Sequence, residues 1–112
     1  MGRERIGLVG MARDALDVMG QQVAMARRER QMTIEELAAR AGVSGRTVRS
    51  VERGDAAVSF GNVLRIAVAA GVPVFGAETP AELAQLRRLG QDRLALLPTR
   101  VRRKEQHVDT DF

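Results

Sequence analysis

The sequence predicts an all-α fold, and three observations support that class. Of the 112 residues 45% are apolar, but only three are aromatic, and a chain rich in Ala, Leu and Val favours helices over a sheet sandwich. Apolar residues recur at spacings of three and four along much of the chain. Serine or threonine precedes several of these stretches and glycine follows them, as helix caps require. The length suits one compact domain with extensions.

The first part of the chain is predicted to contain an extension and a helical domain. Residues 1–13 combine a basic start with a brief apolar run and two glycines, and we expect an arm, a short strand or a disordered segment there. A domain is expected over residues 14–77. Its first helix spans residues 15–30, and its fourth is capped by Ser59 and closed by Gly71.

The second and third helices are predicted to be short and joined by a tight connection. Thr33 and Glu36 form a capping box that starts the second helix, and Gly42 supplies the left-handed position that ends it. Only Val43 separates this glycine from Ser44, the cap of the third helix. So short a connection directs the third helix away at a steep angle instead of folding it back antiparallel.

A longer helix is predicted over residues 78–97, followed by a tail of residues 98–112. An apolar stripe runs along this helix through Leu83, Leu86, Gly90, Leu94 and Leu97. The stripe is expected either to join the intramolecular core or to form a dimer seam, and the sequence leaves both alternatives open. The tail carries basic and then acidic residues, and we expect it to be unfolded on its own.

Charge and side-chain chemistry limit the possible functions. The formal net charge is +4, and 17 of the 18 basic residues are Arg, whose planar, forked donors suit anionic partners. There is no cysteine, and the single histidine, His107, lies in the polar tail. We therefore predict no metal, no cofactor, no catalytic residue and no enzymatic activity. No apolar run has the length of a membrane span or a secretion signal, so a cytoplasmic protein is expected.

Residues 33–54 carry the pattern of a helix-turn-helix, which is a capped helix, a glycine turn and a second capped helix. The spacing of Val48 and Val51 turns both inward and leaves small, polar and basic residues on the outer face. Forked guanidinium groups suit guanine O6 and N7 in the major groove of DNA. The sequence therefore predicts a DNA reader whose outer face holds Gly45, Arg46, Arg49 and Ser50.

The stretches "ARRERQMTIEELAARAGVSGRTVRSVERG" and "VSFGNVLRIAVAAGV" resemble the XRE family, the Cro and lambda-repressor type of helix-turn-helix, over residues 17–72. The resemblance implies a five-helix lambda-repressor-like bundle, here with an additional C-terminal helix region and flexible tails. It also implies a sequence-specific transcriptional repressor that binds double-stranded operator DNA as a homodimer. Such a protein is expected in the bacterial cytoplasm, associated with the nucleoid.

The same resemblance assigns roles to individual residues. It implies a structural ion pair between Arg27 and Glu52. The positions that match the base-reading face, or lie beside it, are Ser44, Gly45, Arg46, Arg49 and Ser50. The positions at which family members usually contact phosphate are Thr33, Thr47, Arg53 and Asn62. Gly45 replaces a position that often carries a base-contacting side chain, so Arg46 and Arg49 are expected to supply most of the specificity.

The C-terminal stretch "LLPTRVRRKEQHVDTDF" resembles the ends of HipB-like antitoxins. This resemblance implies an antitoxin that represses its own operon and binds a HipA-like Ser/Thr kinase toxin. The toxin-binding residues of the tail would be Arg100, Arg102, Arg103 and Phe112. In this subfamily the segment "VPVFGA" falls where a strand can join the dimer interface. The alternative is a stand-alone, phage-repressor-like regulator of the XRE family without a toxin partner.

Overall fold

The computed structural model describes residues 9–103 of the chain. This part contains five helices and no strand. The helices are α1 (Gly10–Glu29), α2 (Ile34–Ala41), α3 (Gly45–Glu52), α4 (Phe60–Ala70) and α5 (Pro80–Ala95). The predicted all-α class and the five helices are thereby confirmed. The chain divides into two compact units, Met1–Thr79 and Pro80–Phe112.

Helices α1 to α4 of the first unit pack around one aliphatic core. Its largest fully buried side chains come from all four helices and are Val23, Leu37, Val48, Val51 and Ile66. Burying an aliphatic side chain of this size stabilises a fold by about 1.5–3 kcal/mol. Because the inward residues of α3 belong to this core, the position of α3 is fixed by packing rather than by the short connection alone.

Helix α1 begins at Gly10, five residues before the predicted start at Ala15 and within the segment expected as an extension. The Arg13 guanidinium donates to the Asp17 carboxylate at 2.7 Å, one helical turn away, and also to the backbone carbonyl of Gly54. These contacts hold the first turns of α1 against the end of α3. The difference from the prediction arises because Gly54 is distant in sequence, and periodicity alone does not show the contact.

Gly20 lies where the backbones of α1 and α3 approach each other closely. It is buried, and a Cβ atom placed on it would lie 2.5 Å from the carbonyl oxygen of Val51 and 2.9 Å from that of Glu52. A backbone carbonyl in a helix cannot move aside as the end of a side chain can. The crossing of the two helices therefore depends on the absence of a side chain at position 20.

The segment after α4, where the subfamily resemblance allows a strand at the dimer interface, forms a tight turn. Val74 and Ala77 exchange two backbone hydrogen bonds, of 3.3 and 2.9 Å, and form an isolated bridge. The residues between them, Phe75 and Gly76, both have positive φ, 53° and 77°, as a two-residue hairpin turn requires. Since this segment is not helical, the fifth helix implied by the family resemblance and the predicted C-terminal helix are the same element, α5.

None of the residues of α5 is buried. The four leucines of the predicted stripe are 36% to 70% exposed. The helix tightens after Ala95, where the amides of Leu96 and Leu97 bond to carbonyls three residues back, and Pro98 follows. Within residues 9–103 no helix combines the length and the apolarity needed to cross a membrane.

Candidate nucleic-acid interface

The connection between α2 and α3 is built from two helix caps and one left-handed glycine. Thr33 accepts the Glu36 amide at 3.0 Å and its own amide bonds the Glu36 carboxylate at 2.8 Å, which is a complete capping box. Gly42 ends α2 with φ 74°, and Ser44 accepts the Thr47 amide at 3.1 Å to start α3. The capping groups of both helices thus come from residues within this segment, so its local sequence specifies the turn.

The inward and outward faces of α3 differ sharply in burial. Val48 and Val51 are fully buried or nearly so, at 0% and 1% exposure, whereas Arg46 and Arg49 are exposed. The contrast follows from the helical period, because residues three or four apart share a face. The outer face is therefore free of large apolar groups and carries two cationic side chains.

Arg27 and Glu52 join α1 to the end of α3. The Nε of Arg27 donates to Glu52 Oε2 at 2.7 Å and its Nη2 donates to Oε1 at 3.1 Å, a bidentate arrangement. The remaining Nη1 donates to the carbonyl of Met32 at 2.9 Å. The side chains are only 12% and 11% exposed. The hydrogen bond that Arg27 donates to Glu52 and the charge of Glu52 raise the pKa of Arg27 despite burial, so Arg27 stays charged in this contact between α1 and α3.

Arg46 is the most available of the predicted base-reading residues. It is exposed on the first turn of α3 and makes no hydrogen bond or ion pair with another described residue. Ser50, one turn further along, is half-buried, and its hydroxyl accepts from Arg53 Nη2 at 3.3 Å. A predicted base reader and a predicted phosphate contact are thus in contact with each other. Among the three polar side chains Arg46, Arg49 and Ser50, Arg46 is the one with no hydrogen-bond partner among the described residues.

Arg49 has a partner that the sequence pattern did not predict. Its Nη2 donates to Glu35 Oε2 at 3.2 Å, and both side chains are largely exposed. Glu35 lies in the first turn of α2, and Gly45 lies beside both residues. A Cβ atom on Gly45 would be 3.6 Å from Glu35 Oε2 and 3.8 Å from Arg49 Nη1, ordinary contact distances. Packing therefore does not require glycine here, and a carboxylate stands on the basic face.

The residues predicted to contact phosphate lie at helix starts and at the end of α3. Thr33 is exposed at the cap of α2, and the hydroxyl of Thr47 lies 2.9 Å from that of Ser44 at the start of α3. Asn62 is half-buried in the first turn of α4, and its amide bonds to the Ser59 hydroxyl at 3.1 Å. Backbone amides at helix starts attract anions. Arg53 is exposed at the C-cap of α3.

Arg28 is a further basic residue near α3 that was not among the predicted site residues. With Arg49 and Arg53 it lines a shallow depression between α1 and α3, whose floor includes Ala24 and Glu52. The signal in the sequence was its position beside Arg27, but the periodicity of α1 gives no indication that it faces α3. Within residues 9–103 no three His, Cys, Asp or Glu side chains converge where they could hold a metal ion.

A helix-turn-helix family model matches residues 23–75, a segment that contains the second part of α1 and all of α2, α3 and α4. Residues 23–75 form a helix-turn-helix domain of this family. This domain includes every predicted base-reading and phosphate-contacting residue. It also includes Arg27 and Glu52, and it ends before α5.

Among solved structures, the chain is similar to the restriction-modification controller protein C.AhdI from Aeromonas hydrophila. The two are 32% identical, the alignment covers 53% of this chain and 89% of that one, and the TM-score is 0.46. No curated protein matches the sequence.

Proposed function

We propose that this chain is a sequence-specific, DNA-binding transcriptional regulator whose α3 enters the major groove. The observation that carries the proposal is the state of Arg46: it is exposed and unpaired on the first turn of the second helix of a helix-turn-helix domain. In this motif the N-terminal residues of that helix contact base edges while the preceding helix crosses the backbone. Arg46 has the donor geometry that suits guanine.

The remaining outer residues fit complementary roles. Ser44 and Gly45 stand beside Arg46 at the start of α3 and allow the backbone to approach the bases closely. Arg49 and Ser50 lie one turn further along α3. Arg49 donates a hydrogen bond to Glu35, and Ser50 accepts one from Arg53. We therefore expect both to contribute less direct base contact than Arg46, and sequence-dependent DNA shape to supply part of the specificity.

Affinity is expected to come mainly from phosphate contacts. Thr33, Thr47 and Asn62 stand at helix starts, where backbone amides and hydroxyls suit phosphate oxygens. Arg53 and Arg28 add positive charge beside α3. A homodimer would place two copies of α3 in successive major grooves, about 34 Å apart, on a palindromic operator.

The proposal is tested by separating base reading from phosphate binding. Duplexes selected by the wild-type chain from a random library are compared with scrambled duplexes in gel-shift titrations. Arg46→Ala should lose about 1–3 kcal/mol of binding free energy on selected duplexes and much less on scrambled ones, because only the base contact is sequence-dependent.

The matched control is Arg40→Ala, which removes the same charge from an exposed position in the last turn of α2. It should leave the discrimination between the two duplexes unchanged. If Arg46→Ala weakened both duplexes equally, Arg46 would hold phosphate only and the base-reading role would be wrong. If the wild-type chain selected no sequence from the library, the proposed regulator function itself would be wrong.

Of the two forms of regulator considered above, the family match favours the stand-alone one, because it covers the helix-turn-helix and not the tail. The antitoxin role and the HipA-like partner stay predictions. Arg100, Arg102 and Arg103 are exposed, and Phe112 lies outside the described residues. Co-expression with the adjacent gene product, with and without residues 98–112, tests this role. A tail-dependent complex with a kinase would support it, and the absence of a complex would remove it.

A further inference from the structure

The depression between α1 and α3, which we call the arginine pocket, is lined mainly by cationic side chains. Arg28 comes from α1, Arg49 and Arg53 come from α3, and Ala24 and Glu52 complete the lining. The pocket has a volume of about 320 Å³, at the lower end of the range of small-molecule sites, about 300–1,000 Å³. Most such sites are lined mainly by apolar side chains. The charge of this pocket therefore indicates what it can bind.

Glu52, the acid in the lining, does not neutralise the three arginines of the pocket. Both of its carboxylate oxygens already accept hydrogen bonds from Arg27, at 2.7 and 3.1 Å. Glu35 bonds a single nitrogen of Arg49 at 3.2 Å. Both side chains of that pair are largely exposed, so solvent screens their attraction. The pocket therefore keeps an excess of positive charge.

The arginines of the pocket also have side-chain donors that no described residue uses. Arg28 is exposed and makes no hydrogen bond or ion pair with another described residue. The Nη2 of Arg53 bonds the hydroxyl of Ser50 at 3.3 Å, which is a neutral partner. Planar guanidinium groups bind phosphate through paired N–H donors. The chemistry of the lining is therefore that of a phosphate site.

The arrangement of these charges is unfavourable without an anion. Arg49 and Arg53 are four residues apart on α3, and like charges at this spacing destabilise a helix. Arg28 adds a third positive charge from α1. Arg28 and Arg49 lie in the last turns of their helices, where a cation suits the helix dipole. That role accounts for each of these two charges singly and not for the convergence of three, whereas an anion between them offsets their repulsion.

We propose that the arginine pocket binds a phosphate group. The group belongs either to a free phosphate-bearing molecule or to the DNA backbone, since both offer anionic oxygens that accept from guanidinium groups. A free molecule would occupy Arg49 and Arg53, which are also among the residues predicted to contact DNA. The pocket is then a point at which such a molecule weakens DNA binding. This consequence, unlike the phosphate site itself, rests on the proposed function.

The first arm of the test uses inorganic pyrophosphate and the full chain without DNA. A titration at constant ionic strength, followed by the NMR signals of the arginine Nε–H groups, should show saturable binding that shifts the signals of Arg28, Arg49 and Arg53. Arg28→Ala should raise the Kd about fivefold, the effect of losing one exposed ion pair. Arg28→Lys should restore binding only in part, because an ammonium group lacks the paired donors.

The matched control is Arg40→Ala, which removes the same charge from an exposed position on α2. It should change the Kd of pyrophosphate less than about twofold, because Arg40 is not part of the pocket.

The second arm uses selected and scrambled duplexes. If a backbone phosphate occupies the pocket, Arg28→Ala should weaken both duplexes by the same factor. The slope of log Kd against log salt should then fall by about one, because one phosphate contact fewer is made. Arg40→Ala should leave this slope unchanged. At equal ionic strength, pyrophosphate should release DNA from the wild-type chain more effectively than chloride, and this difference should disappear in Arg28→Ala.

The two arms together identify the source of the phosphate. Weaker pyrophosphate binding by Arg28→Ala with an unchanged DNA slope would assign the pocket to a free molecule, and the reverse result would assign it to the DNA backbone. If Arg28→Ala and Arg40→Ala behaved alike in both arms, the proposal would be wrong. A change in Arg28→Ala that is confined to thermal stability would leave Arg28 with a helix-dipole role only, and would overturn the proposal as well.

These results are distinguishable from a failure of the proposed function. Pyrophosphate binding that depends on Arg28, in a chain that selects no DNA sequence, would leave the phosphate site and remove the regulator. Base discrimination that depends on Arg46, with no effect of Arg28→Ala in either arm, would leave the regulator and remove the phosphate site.

Discussion

The two faces of α3, a helix of eight residues, have different roles. The inward face buries Val48 and Val51 and ends in Glu52, which is bound by Arg27 through two hydrogen bonds. The outward face exposes Arg46 and Arg49. One ion pair serves each face: Arg27–Glu52 is nearly buried and bidentate, and Arg49–Glu35 is exposed and joined by a single hydrogen bond. The contacts that stabilise the fold therefore lie mainly on one side of α3, and the other side is available for a ligand.

The largest expected effect comes from breaking the inner pair. Glu52→Gln should lower the free energy of unfolding by about 3 kcal/mol, because a charged Arg27 would remain nearly buried without its counter-ion. Chemical denaturation followed by circular dichroism measures the change. Glu35→Gln is the matched control on the outer face and should cost less than about 1 kcal/mol. Equal losses in the two variants would show that the faces do not differ as proposed.

The pH dependence of the inner pair is expected to be small. Because the pKa of Arg27 is raised in the folded chain, its contribution is fully present below the pKa of an unfolded arginine. It is lost only as the pH rises through the higher folded value. That window lies far above neutral pH, so titration of Arg27 does not affect stability under ordinary conditions.

The next effect concerns the packing of α1 against α3. Gly20→Ala should lower the free energy of unfolding by about 2 kcal/mol, because its Cβ would overlap the carbonyl oxygen of Val51 and the helices would have to separate. Gly61→Ala, at a helical position with nothing within 4 Å, is the same chemical change in open space. It should be neutral or stabilising by up to about 1 kcal/mol. A stable Gly20→Ala variant would mean that the crossing is looser than described.

A smaller effect is expected at the start of α3. Ser44→Ala should lower the free energy of unfolding by about 1 kcal/mol, because the Thr47 amide loses its cap. Ser50→Ala changes the same side chain on the outer face, where the hydroxyl contacts only Arg53, and should stay within about 0.5 kcal/mol of the wild type. Thermal unfolding of both variants measures the two losses of stability. A larger loss of unfolding free energy in Ser50→Ala than in Ser44→Ala would indicate that the outer face also stabilises the fold.

The smallest effect is a gain in DNA affinity. Glu35→Gln removes a carboxylate from the basic face and frees Arg49, so binding should strengthen by about 0.5 kcal/mol on selected and scrambled duplexes alike. Gel-shift titrations at two salt concentrations measure it, and the gain should shrink at higher salt. Glu29→Gln, an exposed acid at the end of α1, is the control. Weaker binding by Glu35→Gln would indicate that Glu35 positions Arg49 for DNA instead of competing for it.

The sequence by itself determined the elements whose signals are local. The caps at Thr33, Ser44 and Ser59 and the left-handed glycines at positions 42 and 71 fix the bounds of α2 to α4. The reason is that a cap is completed by an amide three residues away, and a helical stripe repeats every three or four residues. The division of α3 into an apolar face and a polar face follows from the same period.

Only the tertiary structure decided which distant groups meet. The early start of α1 depends on Arg13 reaching Gly54, the helix crossing depends on Gly20 lying against Val51, and the outer face is altered by Glu35 reaching Arg49. Each of these contacts joins residues that lie far apart in the sequence, so no local spacing reveals it. The leucine stripe of α5 has the same limit, because a stripe in the sequence specifies a face and the packing alone determines what covers it.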